Sequence, residues 1–95
     1  MGTREDYIDK LAAQLKEWSA RIDELEVKAH LARADMKDVY EEQIRLLKEK
    51  RNASQNKLDD LKVASAEAWD TLKTGAETAW AEMQKAVSEA KAKFK

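Results

Sequence analysis

The chain has 95 residues, 39% of them Asp, Glu, Lys or Arg, with no Pro, no Cys and two Gly. This is the composition of long helices and coiled coils, and it excludes disulfides and thiolate metal sites. With 18 basic against 19 acidic residues the formal net charge is −1, so there is no cationic excess to displace counterions and no nucleic-acid partner is expected.

Thr3, with Asp6 three residues on, reads as a capping box that opens a helix. Heptads follow, with Ile8, Leu15, Ile22, Ala29 and Met36 at a and Leu11, Trp18, Leu25, Ala32 and Val39 at d. Five unbroken heptads predict a coiled-coil seam. After Met36 the stripe drifts toward Tyr40, Ile44 and Leu47, with Gln43 a polar residue in the seam. The segment 48–57, KEKRNASQNK, has no large apolar side chain. Lys48, Lys50 and Arg51 suit a helix C-terminus, and Asn56 before Asp59 and Asp60 suits an N-terminus.

From Leu58 onward one eleven-residue phrase occurs three times: LDDLKVASAEA, WDTLKTGAETA and WAEMQKAVSEA. Position one is Leu58, Trp69 and Trp80; position four is Leu61, Leu72 and Met83, continued by Phe94; position eight is Ser65, Ala76 and Val87. Eleven residues make three helical turns, so these rows form one stripe along a helix.

The chain is therefore expected to be all-α: a long antiparallel helical hairpin, or coiled coil, forming one domain over 1–95. Arm 1 covers about 4–51, the connection about 52–56 and arm 2 about 57–94. The alternative is a single continuous helix of roughly 135 Å at ~1.5 Å per residue. The seam comprises Ile8, Leu11, Leu15, Trp18, Ile22, Leu25, Met36, Val39, Leu47, Leu58, Leu61, Trp69, Leu72, Trp80, Met83, Val87 and Phe94. Folding the arms together sets Trp18 against Ala90, Ala29 against Trp80, Val39 against Trp69 and Gln43 against Ser65. Large residues then face small ones, and polar faces polar. Ala13, Ala20, Val27 and Ala34 share one heptad position away from the seam, with Leu31 beside them. That second stripe implies self-association into a helical bundle, hence a homo-oligomer.

No catalytic constellation is present. His30 falls on the solvated face with only Glu26 as a nearby ligand type, too few for a metal. The pairs Glu41–Glu42 and Asp59–Asp60 diverge on a helix, and no Gly-rich phosphate loop occurs. A non-enzymatic protein without cofactors is expected. The N-terminal segment is charged from residue 4 and lacks a signal-peptide core, and no run of ~20 apolar residues occurs. A cytoplasmic location is expected. Trp69 and Trp80 on an amphipathic stripe also suit a helix lying in a membrane interface. A peripheral lipid-binding role for arm 2 is thus the second functional reading.

The eleven-residue phrasing resembles the amphipathic repeats of exchangeable apolipoproteins and, more loosely, late-embryogenesis-abundant desiccation proteins. The prolines that punctuate apolipoprotein repeats are missing, so lipid transport is not implied. TREDYIDKLAAQLKEWSARIDELEVKA with KLDDLKVASAEAWDTLKTGAETAWAEMQKAV resembles a family of short bacterial coiled-coil proteins, sometimes labelled stress-response proteins. That resemblance implies an intracellular, non-enzymatic helical protein. The expected role is that of an interaction or stress-associated structural protein acting through helix–helix self-association.

Overall fold

The computed structural model describes residues 3–94; positions 1, 2 and 95 of the expected domain lie outside them. Three helices follow one another, α1 (Arg4–His30), α2 (Ala34–Lys62) and α3 (Trp69–Lys93). The capping box opens α1: Thr3 Oγ1 accepts the Asp6 N–H at 3.1 Å, and Asp6 Oδ2 accepts the Thr3 N–H at 3.4 Å. Glu5 and Asp6 in the first turn and Lys28 and His30 in the last complement the helix dipole.

Consecutive helices run antiparallel, so α1 and α3 are parallel. The body measures 51 × 20 × 18 Å. Ion pairs mark the register. Lys48 Nζ meets Glu26 Oε1 at 2.6 Å between α1 and α2, and Lys50 Nζ meets Glu82 Oε2 at 4.0 Å between α2 and α3. Two aromatic contacts set α1 beside α3: Tyr7 with Trp69 at 6.0 Å between centroids, and Trp18 with Trp80 at 5.9 Å. Both partners advance by eleven residues between these contacts, so the repeat of α3 meets the same spacing on α1.

The chain is all-α with antiparallel neighbours, as expected, but it reverses direction twice. The turns lie at residues 31–33 and 63–68, and the expected connection at 52–56 is continuous helix inside α2. The physical reason lies in the seam. Ala29 and Ala32 offer little apolar surface, so ending α1 there costs little burial. A chain folded in three then gives each helix two neighbours, whereas a hairpin of roughly 70 Å arms would give each only one. Ser54 explains how an apolar-poor segment can remain helical. It is fully buried, while Asn52, Ala53, Gln55 and Asn56 face solvent.

The second turn has its own chemistry. Ser65 Oγ accepts the Ala68 N–H at 3.2 Å and Ser65 O accepts the Trp69 N–H at 3.0 Å. Ser65 thus acts as the N-cap of a helical turn that leads into α3. The Arg4 guanidinium donates to Ala64 O at 3.3 Å and Ser65 O at 3.5 Å, tying this turn to the start of α1.

Candidate functional site

Most of the core comes from the expected seam. Leu11, Leu15, Trp18, Ile22, Leu25, Leu47, Leu58, Leu61, Trp80, Met83, Val87 and Phe94 are buried, and Ile8, Trp69 and Leu72 are half-buried against them. Two seam residues are placed differently. Met36 is 37% and Val39 42% exposed, because α2 starts afresh at Ala34 and turns the 36/39 face outward. The expected pairings change as well. Trp18 lies against Trp80 rather than Ala90, and Trp69 stacks edge-on to Tyr7 rather than facing Val39. Ser65, in the turn, is exposed and does not face Gln43. Ala29, Ile44, Ser54, Ala76 and Ala90 complete the interior. The sequence already places Ala29, Ile44 and Ala76 on the apolar stripe and Ala90 against it; for Ser54 the sequence gives no signal.

One end of the bundle is closed by an alternation of cations and rings. Lys73 Nζ lies 5.0 Å from the Tyr7 ring centroid, and the Arg4 guanidinium lies 4.5 Å from that of Trp69. Burial first, then the nearby Glu77 charge, pushes the Tyr7 hydroxyl above its ordinary pKa. Thr3, Arg4, Asp6, Lys10 and Lys73 surround the rings. Arg4 and Lys73 already have π partners, so this end reads as a structural clasp.

The opposite end is different. Among the described residues five large hydrophobic side chains are exposed: Val27, Leu31, Met36 and Val39 sit around the α1–α2 turn, and Val63 lies elsewhere. A groove of about 690 Å³ runs there, lined by Lys28, Leu31, Ala32, Arg33, Met36, Tyr40, Lys93 and Phe94. Its floor is the stack of Tyr40 on Phe94, centroids 4.2 Å apart and rings 17° from parallel. Lys28, Arg33 and Lys93 form the rim. Arg33 Nε lies 3.5 Å from Asp35 Oδ1, but both side chains are largely exposed, so the pair is weak and screened. The groove was not anticipated from sequence. Its local sign was the switch from Lys28, His30 and Arg33 to Asp35 and Asp38, the stop-and-start charge pattern that also occurs at 48–60.

The remaining charges build a solvated face. Arg45 donates Nε and Nη2 to Glu42 at 3.1 and 2.6 Å, and Nη1 to Glu49 at 2.7 Å. The Arg45 hydrogen bonds lower the Glu42 pKa, and Glu42 in turn raises that of Arg45. Among the described residues no cluster of three or more His, Cys, Asp or Glu is placed to hold a metal, and no helix is long and apolar enough to cross a membrane. His30 lies with Glu26 and Glu41 in a shallow surface hollow, where Glu26 is engaged by Lys48. No protein-family model matches the chain, and neither a curated protein nor a solved structure does.

Proposed function

We propose that this is a non-enzymatic helical interaction protein, stress-associated as its resemblance implies, that self-associates side by side through the outer face of α1. The observation that carries the reading is an apolar strip that the bundle leaves uncovered. Ala13, Ala20 and Val27, one heptad apart, are all exposed, Val27 at 59%. Small residues at this spacing let a second helix approach closely. Leu31 does not extend the strip, because the chain has already turned at 31–33 and Leu31 lines the groove instead.

The reading gains over a lipid-seeking second arm because the stripe of α3 is occupied. Trp80, Met83, Val87 and Phe94 are buried against α1 and α2, so a bilayer would have to open the core to reach them. The strip also bounds the strength of association. The 27 residues of α1 span ~40 Å and offer a face ~10 Å wide, about 400 Å² per partner. That lies below a standard interface, so association should depend on concentration.

Sedimentation velocity across a concentration series tests this. The chain should shift from monomer to larger species as concentration rises, and Ala20→Glu with Val27→Glu should hold it monomeric while leaving helicity intact. A single monomeric species at all concentrations, or an oligomer indifferent to both substitutions, would overturn the reading.

A further inference from the structure

We propose that the groove at the α1–α2 turn docks the protein on an anionic lipid bilayer, with Leu31 entering the interface and Lys28, Arg33 and Lys93 meeting headgroups. Three observations carry this. Leu31 is 81% exposed at the tip of a tight turn, with Met36 beside it. An apolar tip flanked by Lys28, Arg33 and Lys93, with Asp35 held only in a weak exposed pair with Arg33, matches the layered chemistry of an anionic membrane surface, acyl chains below and phosphates above. Finally, the groove is open on its outer side. A small-molecule pocket encloses most of its ligand, whereas here the most apolar residue stands out of the groove and needs an extended apolar phase to cover it.

A second copy of the chain fits less well. Pairing this end with its twin would bring the Lys28, Arg33 and Lys93 rims face to face. The end of the bundle, about 20 × 18 Å, is also too small for a stable dimer on its own. Apart from Phe94 in the groove floor, the contact lies outside the amphipathic stripe of α3, whose Trp80, Met83 and Val87 stay buried. It is also separate from the self-association strip, which runs along the side of α1.

The absence of Cys makes the test direct. The full chain carries an environment-sensitive fluorophore at Leu31→Cys or, as a control at the far end, at the 84% exposed Val63→Cys. Each is titrated with vesicles of phosphatidylcholine alone or of phosphatidylcholine with phosphatidylglycerol. The label at 31 should brighten several-fold with the anionic vesicles only, and the label at 63 should not respond. Trp emission should stay unchanged, because Trp18 and Trp80 remain in the closed core. Arg33→Glu with Lys93→Glu should raise the half-saturating lipid concentration at least about 25-fold. This follows from about fivefold per basic residue lost, the ~1 kcal/mol of a cation at an anionic surface. No response to anionic vesicles would overturn the proposal. So would equal responses at 31 and 63, or a Trp blue shift showing that the bundle opens. A response at 31 to a soluble acidic amphipathic peptide, with none to vesicles, would replace the bilayer by a protein partner. Sedimentation without lipid reads self-association separately, so either idea can fail alone.

Discussion

Replacing Ser54 by Ala removes a hydroxyl that is fully buried in the middle of α2 and has no hydrogen-bond partner among the described residues. Its neighbourhood follows from the α2–α3 register. Lys50 pairs with Glu82, and a Cβ at Gly75 would sit 3.9 Å from Lys57 Nζ. Position 54 therefore lies level with position 78, two residues along α3 from Trp80, whose Nε1 is likewise buried without a partner. An unpaired buried hydroxyl costs ~1–3 kcal/mol in mutational series. Ala also exceeds Ser in helix propensity by about 0.5 kcal/mol, and the void left by one oxygen is too small to offset this. Ser54→Ala should then stabilise the protein by about 1–2 kcal/mol, raising Tm by roughly 5–10 °C for a domain of this size. Thermal and urea unfolding followed by circular dichroism measure it, with the urea m value unchanged. A loss of 1 kcal/mol or more would refute the reasoning, since the hydroxyl would then be bonded in solution. Repeating the change in a Trp80→Phe background would show whether the indole N–H is the partner, through the coupling between the two sites.

Proline substitutions separate the real turn from the expected one. Ala53→Pro lies in continuous helix and should cost ~3 kcal/mol or more in urea unfolding. Ala34→Pro should be neutral or stabilising, because position 34 opens α2 and Arg33 before it is already extended at φ −64°, ψ 150°. The reverse ranking would place the chain reversal at 52–56 after all. Alkaline pH should reveal Tyr7, whose folded pKa is raised above the unfolded value. The proton is held more tightly in the folded state, so this contribution to stability is complete below about pH 10 and is lost as pH rises through the folded pKa. Urea midpoints measured on either side of pH 10 should fall less for Tyr7→Phe than for the parent chain, and equal slopes would count against the burial of Tyr7.

The sequence by itself determined the helical class, the capped start at Thr3 and the identity of most core residues. The reason is that periodicity is a local property: a residue's phase on a helix decides which face it occupies, whatever that face later meets. Leu11, Leu15, Trp18, Ile22 and Leu25 are buried at their heptad positions, and Trp80, Met83, Val87 and Phe94 at their hendecad positions. The rows survive even the break at 63–68, with Leu58 and Leu61 ending one helix and Trp69 and Leu72 opening the next. What only the tertiary structure decided was where the chain turns and which faces meet. Neither turn carries Gly or Pro, and Ala, Leu and Arg at 31–33 are all acceptable inside a helix. Helix continuation and reversal therefore differ little locally, and the choice falls to burial summed over the bundle. That sum sets Trp18 on Trp80 and buries Ser54. It also turns Met36 and Val39 outward, so the apolar, basic-rimmed end surface exists only once three helices are packed.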